Sequence, residues 1–133
     1  MIFLVTGGTG FLGSHLIRGL LASGHQVVLL KRKTSDVLRI EPLLSKLKAV
    51  FDIESGLDLP FTKGQIDGII HCATDYGRKN SDPLQITQAN LILPLSLLNL
   101  AVKNRVKVFI NTDTLLDKRV NEYSYQKNNL RNG

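Results

Sequence analysis

Short apolar runs alternate along the chain with segments in which apolar residues recur at helical spacing. The runs predict five strands, over residues 2–5, 26–30, 49–52, 68–73 and 107–111. Helices are predicted over 11–23, 40–47 and 84–103, and a last one begins near residue 121. Strands without polar alternation, each followed by a helix, are typical of a parallel sheet that is covered on both faces. The sequence therefore predicts an α/β fold with a doubly wound parallel sheet.

Prolines mark the longest helical pattern. Asp82 and Pro83 open it with an N-cap candidate and a proline in the first turn. Pro94 lies inside the pattern and predicts a kink or a split into two helices, because proline lacks the N–H that a regular helix needs.

A glycine-rich loop directly follows the first predicted strand. Gly7, Gly10 and Gly13 have the spacing G-x-x-G-x-x-G between a strand and a helix. Glycines in this context allow a sharp turn, close approach of the backbone to a pyrophosphate, and tight packing of helix on strand. The unpaired N–H groups and the dipole at the helix N-terminus then favour the phosphates. The loop predicts dinucleotide binding, and a plain turn is the alternative.

The end of the second predicted strand is basic. An NAD-binding chain usually places an acid there to bind the ribose hydroxyl, whereas this chain has Lys31 and Arg32. A guanidinium can hold a 2′-phosphate through paired hydrogen bonds, and a lysine adds a point charge. We therefore predict NADP rather than NAD, and the alternative is a solvated basic loop.

Composition and charge set the limits of this interpretation. The chain has 133 residues, which predicts one domain over 1–133, and 43% of the residues are hydrophobic. No apolar run approaches the roughly 20 residues of a membrane span, so we expect no membrane partner. The net charge is +6, but no aromatic platform accompanies the basic cluster at 31–33, so nucleic-acid binding has little support. The single cysteine, Cys72, fits a reducing cytoplasm and is most simply a small buried strand residue.

The segment TGGTGFLGSHL, followed by Gly24-His25, resembles the extended short-chain dehydrogenase/reductases, and within them the NAD-dependent epimerase/dehydratase family that modifies nucleotide sugars. The resemblance covers nearly the whole chain and implies a Rossmann-like fold. It also implies a set of cofactor-binding residues: Gly7, Gly10, Phe11, Leu12 and Gly13 at the pyrophosphate, Asp52 and Ile53 at the adenine, and Cys72, Ala73, Thr74, Asn90, Thr112, Tyr123 and Lys127 towards the nicotinamide.

Two of these residues have alternative interpretations. Asp52 could instead cap a turn. Asn90 matches a family asparagine that organises the central strands or a site water, and without the resemblance it would be simply a polar residue of the helix. We expect His71, next to Cys72, to be a core or strand-end residue rather than a catalytic base.

Catalytic chemistry is implied for Tyr123 and Lys127. They lie four residues apart, so on a helix they share one face. A phenol, with a reference pKa near 10, is a poor base at neutral pH, and a neighbouring ammonium favours the phenolate. In the family, this tyrosine moves the proton of a sugar hydroxyl during hydride transfer, and the lysine also holds the nicotinamide ribose. A hydroxyl after the fifth strand completes the set; Thr114 is the better match and Thr112 the second.

The resemblance implies an NAD(P)-dependent nucleotide-sugar epimerase, dehydratase or 4-keto-reductase that takes a nucleotide sugar and uses no metal. The basic pair favours a reductase, which consumes NADPH from solution, and Asp113 alone is not the acidic pair of the dehydratases. The alternative is a non-catalytic dinucleotide-sensing or protein-interaction domain, which has no need of the Thr114, Tyr123 and Lys127 set.

The C-terminal part of the sequence does not identify the substrate. Only the segment 115–122 separates Thr114 from Tyr123, where the family commonly has a longer loop that shapes the substrate site. The sequence ends at Gly133, about one helical turn beyond Lys127. We therefore expect a fold truncated before the C-terminal substrate-binding part, with weak dinucleotide binding and little or no turnover by itself. A homodimer through the long helix and the Tyr-Lys helix is also implied.

Overall fold

Five parallel strands form one sheet in the computed structural model, which describes residues 1–76, 82–112, 127 and 129–131. The sheet order is β3-β2-β1-β4-β5. The strands are β1 (Ile2–Thr6), β2 (Gln26–Lys31), β3 (Ala49–Asp52), β4 (Gly68–His71) and β5 (Val108–Asn111). Because β1 lies between β2 and β4, the order reverses at its carboxyl end, where doubly wound sheets bind their ligands. The predicted doubly wound parallel sheet is confirmed.

Helical segments connect the strands. The α-helices are α1 (Phe11–Ala22), α2 (Leu59–Thr62), α3 (Pro83–Thr87) and α4 (Leu93–Lys103). Within the described ranges, two 3₁₀ helices cover Leu38–Lys46 and Ile53–Ser55, and a π-helical turn covers Gln88–Ile92. The segment predicted as a helix over 40–47 is thus 3₁₀ and includes Pro42, whose missing N–H interrupts regular α-helical bonding.

The core has one layer on each face of the sheet. Successive residues of a strand face opposite sides, so Val5 packs with Ile17 of α1 while Leu4 packs with Leu97 of α4. All four of these side chains are fully buried. The apolar, non-alternating strands noted in the sequence therefore supply both layers at once.

The long helix differs from the prediction at its proline. It runs without a break from Pro83 to Lys103, and the irregularity lies before Pro94, in the π turn Gln88–Ile92. In a regular helix the proline ring collides with the carbonyl four residues earlier, which here belongs to Asn90. The wider π turn changes that spacing. Pro94 is therefore accommodated without splitting the helix.

The same helix also bears on the expectation that the chain has no membrane span. Its 21 residues, with a mean hydropathy of 1.2, are long and apolar enough to cross a membrane by length and composition alone. One third of this stretch is buried, and Leu93, Leu97 and Ala101 pack against the sheet. Packing in the core accounts for the apolar character of this face.

Candidate functional site

The carboxyl ends of β1, β2, β4 and β5 meet around the glycine loop between β1 and α1. Gly7 has a φ of +68°, and a Cβ there would overlap the backbone nitrogen of Ala73. A Cβ at Gly13 would overlap the carbonyl oxygen of Gly7, which already accepts the Gly10 N–H at 3.1 Å. The fold itself therefore requires glycine at positions 7 and 13.

Gly10 is different. Its backbone is extended with φ −82°, and a Cβ would meet only the Gly7 oxygen at 3.4 Å, which is ordinary van der Waals contact. Gly10 caps α1 without a side chain, and no acid occupies the first turn. The Ser14 N–H to Gly10 carbonyl bond, 3.0 Å long, is the first of the helix. The earlier N–H groups of α1 thus have no helical partner and suit an anion.

Two large apolar side chains stand at this helix end. Phe11 is 70% exposed and Leu12 is 57% exposed. The Phe11 ring contacts His15 edge-on, with centroids 4.8 Å apart. These side chains flank the candidate phosphate site rather than entering the core.

The basic end of β2 is partly neutralised. Lys31 Nζ and Asp52 Oδ1 form an ion pair at 2.8 Å, because these two residues are register partners on β2 and β3. The Lys33 N–H donates to Glu54 Oε2 at 2.9 Å. Arg32 is exposed, and its guanidinium has no ion-pair partner among the described residues. The structure therefore brings together two residues that the sequence assigned to different parts of the dinucleotide, and leaves Arg32 available.

The turn after β4 is tied to β1. The Cys72 N–H donates to the Thr6 carbonyl at 3.1 Å, and the Ala73 N–H donates to Thr6 Oγ1 at 3.3 Å. Thr74 Oγ1 donates back to the Cys72 carbonyl at 3.2 Å. Strand β4 ends at His71, so Cys72 and Ala73 follow the strand rather than lying within it as predicted. Burial raises the pKa of the Cys72 thiol, and Lys127 opposes this shift.

His71 is fully buried at the end of β4. Its Nδ1 lies 2.7 Å from Thr6 Oγ1. Burial, and after it the charge of Lys127, lowers the pKa of the imidazole to about 3. An imidazole this weakly basic is neutral near pH 7, which agrees with a strand-end residue rather than a general base.

Asn90 holds the loop that follows β4. It is fully buried in the π turn, its Nδ2 donates to the Asp75 carbonyl at 2.7 Å, and its Oδ1 accepts the Asp75 N–H at 2.9 Å. This pair of bonds fixes the segment under the predicted nicotinamide position. The π turn matters here, since such turns are frequent at functional sites.

Lys127 is brought to the end of β5. It is 1% exposed, and its Nζ donates to the Thr112 carbonyl at 2.8 Å. Thr112 is itself anchored, because its N–H and its Oγ1 both donate to the His71 carbonyl, at 3.1 and 3.2 Å. The structure thus places one candidate hydroxyl residue beside the candidate lysine. Thr114 and Tyr123 lie outside the described residues.

Two residues of this site, Gly8 and Thr6, were not predicted from the sequence. Gly8 lies outside the glycine spacing, yet a Cβ there would overlap the side-chain ends of Ile17 and Leu29. Thr6 joins β1 to the turn after β4, and its position between an apolar strand and the first glycine was the only available signal. Among the residues that the structure describes, no three His, Cys, Asp or Glu side chains form a metal site.

Comparison with known proteins identifies the family. The family model for the NAD dependent epimerase/dehydratase family matches residues 3–123. This chain belongs to that family. Its members are enzymes, and the resemblance noted in the sequence is confirmed.

Relatives and solved structures agree with this assignment. The sequence of this chain is 37% identical over 131 residues to CDP-abequose synthase of Salmonella typhimurium. It is 30% identical over 128 residues to UDP-glucose 4-epimerase of Caenorhabditis elegans. These alignments cover 92% and 83% of this chain but only 40% and 37% of the relatives. The chain therefore spans about two fifths of the length of the curated relatives it matches.

In structure, the chain is similar to UDP-glucose 4-epimerase from Bifidobacterium longum in complex with NAD⁺ and UDP. The TM-score is 0.81 at 25% identity, with 99% of this chain and 47% of that chain covered. The epimerase from Thermotoga maritima, at 23% identity, also gives a TM-score of 0.81, with 98% and 48% covered, and shows the same fold.

Proposed function

We propose that residues 1–133 are the cofactor-binding part of an NADP-dependent enzyme that reduces a nucleotide-linked 4-keto sugar. The observation that carries the proposal is the meeting of three features at the carboxyl edge of the sheet. These are the uncapped start of α1, the exposed Arg32, and the buried Lys127 on the Thr112 carbonyl. The 37% identical relative, named for CDP-abequose, supports a CDP-linked sugar as the substrate class.

The described residues fit a dinucleotide. At Gly10 a side chain would be tolerated by the fold, so the space beside it suits a pyrophosphate lying close to the backbone. The end of β2 carries Lys31 in place of the acid that would repel a 2′-phosphate. With Lys31 engaged by Asp52, Arg32 is the residue that would hold this phosphate.

NADPH, when bound, supplies a hydride to the sugar carbon. Lys127 would hold the nicotinamide ribose and, as an ammonium, favour the ionised form of the neighbouring Tyr123 phenol. Tyr123 would exchange a proton with the sugar oxygen, and a threonine hydroxyl would hold that oxygen. A keto oxygen accepts hydrogen bonds and has no proton to donate, whereas the Thr112 hydroxyl proton goes to the His71 carbonyl. Thr114 is therefore the first candidate for this role, and Thr112 would serve only if its hydroxyl turned to donate to the sugar oxygen.

Cofactor preference tests the role of Arg32. We expect the chain to bind NADPH more tightly than NADH in a fluorescence titration, and Arg32→Ala to weaken NADPH binding about tenfold, since charge-assisted hydrogen bonds are worth about 1.5–3 kcal/mol. NADH affinity should change little. Lys48→Ala removes the same charge from an exposed residue at the opposite, amino end of β3 and should leave both affinities unchanged. Equal affinity of the unaltered chain for both cofactors would contradict the proposal.

Turnover tests the assignment of the chain as a cofactor-binding part. Purified chain incubated with NADPH and a CDP-linked 4-keto sugar should show little or no loss of NADPH absorbance. Measurable reduction would refute the assignment of 1–133 as an incomplete unit while leaving the cofactor preference intact.

A further inference from the structure

A row of polar side chains crosses the sheet beneath the candidate active site. Thr6, His71 and Asn111 end the neighbouring strands β1, β4 and β5, and they are register partners in pairs, Thr6 with His71 and His71 with Asn111. Residues paired in this way lie on the same face of a sheet. Here it is the face of Leu4 and Ile69, which α4 covers. We call these three residues the polar row.

The row is buried but incompletely bonded. Thr6 and His71 are fully buried, and the Oδ1 atom of Asn111 is also shielded from solvent. Within the described part of the chain, His71 Nε2 and Asn111 Oδ1 have no hydrogen-bond partner. Buried polar atoms without a partner cost free energy, so two of them in adjacent side chains call for an explanation.

The contacts of Thr6 favour one tautomer of His71. Thr6 Oγ1 accepts the Ala73 N–H, and among the described residues His71 Nδ1, 2.7 Å away, is the hydrogen-bond acceptor within reach of its own proton, so we assign Thr6 as the donor. The imidazole is neutral and carries one N–H, which is then on Nε2. His71 Nε2 is therefore a donor, and the amide oxygen of Asn111 is an acceptor.

A small polar ligand can complete the row. Asn111, unlike His71, also borders a cavity of about 280 Å³ between α4, β5 and residues 130–131, with Pro94, Leu98 and Phe109 in its walls. Buried water needs two to four polar partners and enough space, and it is the usual partner of isolated buried polar atoms. A water between the two atoms accepts from Nε2–H and donates to Oδ1.

We propose that His71 and Asn111 bind one ordered water, and that this closed row makes them positioning residues for Thr112 and Lys127. The link is short: the His71 carbonyl accepts both bonds from Thr112, and the Thr112 carbonyl accepts the Lys127 ammonium. The water site depends only on the polar row. Its effect on cofactor binding rests on the function proposed above.

The water site is tested by NMR on the full, ¹⁵N-labelled chain. Long-range ¹H–¹⁵N correlations should show His71 as the neutral Nε2–H form near pH 7, with that proton slow to exchange and with a cross-peak to a long-lived water. The Nδ1–H form, a protonated ring, or the absence of a bound water would overturn the proposal. This measurement does not depend on cofactor binding.

The positioning role is tested by removing the acceptor. Asn111→Leu should weaken NADPH binding about tenfold, whereas Asn111→Asp, which keeps an oxygen at the same place, should stay within about twofold of the original affinity. Gln88→Leu, the same kind of polar-to-apolar change at an exposed position, is the control. Equal NADPH affinities for Asn111→Leu and Asn111→Asp would refute the positioning role. If the unaltered chain binds no NADPH, the proposed function fails, and the NMR result still decides the water site.

Discussion

The glycines of the loop between β1 and α1 are present for different physical reasons. Gly7 and Gly13 are required by contacts within the chain, since added carbons would overlap the backbone. Gly10 meets no such obstacle, so its absent side chain serves something outside the chain. The two kinds of glycine can be separated by experiment.

Gly7→Ala should mainly lower stability, whereas Gly10→Ala should mainly weaken cofactor binding. We expect Gly7→Ala to lower the free energy of unfolding by about 2 kcal/mol or more, because φ is positive and the methyl group meets the Ala73 backbone. Gly10→Ala should change stability by less than about 1 kcal/mol and weaken NADPH binding about tenfold or more. Urea unfolding and NADPH titration measure the two effects. A large loss of stability in Gly10→Ala would contradict this division.

His71 makes stability depend on pH. Its pKa is about 6.5 when unfolded and about 3 when folded, so below pH 6.5 the unfolded chain binds the extra proton. The contribution of the neutral, buried ring is complete above pH 6.5 and is lost as the pH falls towards 3. The slope from this group is at most about 1.4 kcal/mol per pH unit. Urea unfolding at several pH values should show this decline, and the slope should be smaller in His71→Gln.

Features formed by neighbouring residues are visible in the sequence. The glycine spacing and the basic end of β2 can be read from neighbours along the chain. The Lys31–Asp52 ion pair could not be read in this way, because it depends on the register of β2 with β3. The bonds of Asn90 to Asp75 likewise cross 15 residues and leave no sequence pattern.

At the scale of elements, the π turn is the main departure from the predicted helix. Pro94 predicted a kink or a split of the helix, whereas the structure has an unbroken helix with a π turn before the proline. The turn keeps Asn90 buried while Leu93 and Leu97 still face the second core layer. One irregular turn therefore serves both the site and the core.

Asn90→Ala should uncouple this turn from the loop after β4. The change removes two hydrogen bonds to the Asp75 main chain, so we expect a loss of about 2–3 kcal/mol in the free energy of unfolding. Gln88→Ala, at an exposed position in the same turn, should cost less than about 0.5 kcal/mol. Urea unfolding of both variants gives the comparison, and similar losses in both would show that the Asn90 bonds contribute little.

At the scale of the whole molecule, a parallel sheet covered on both faces followed from the apolar pattern, but the strand order and the exposed surfaces did not. The outer face of α4 exposes Leu95, Leu98 and Val102, at intervals of three and four residues. The resemblance implied a homodimer through the long helix, and an exposed apolar face is a surface on which such a contact could form. We propose that two copies of the chain associate through it.

Val102→Glu tests this association. Val102 is 75% exposed, so a charge there should leave folding intact and shift sedimentation velocity profiles from dimer to monomer. Leu38→Glu changes an apolar side chain of 70% exposure at the other face of the molecule and should leave the dimer in place. A monomeric original chain at high concentration would refute the proposal.

The tolerance of Gly10 also has an evolutionary consequence. A descendant of this chain that no longer needed its cofactor would be free to exchange Gly10 first, since folding does not select for it. Gly7 and Gly13 would persist for as long as the protein folds. Within a set of diverged copies, the residue at position 10 is therefore a marker of which copies still bind a dinucleotide, and the better-known turn glycines are not.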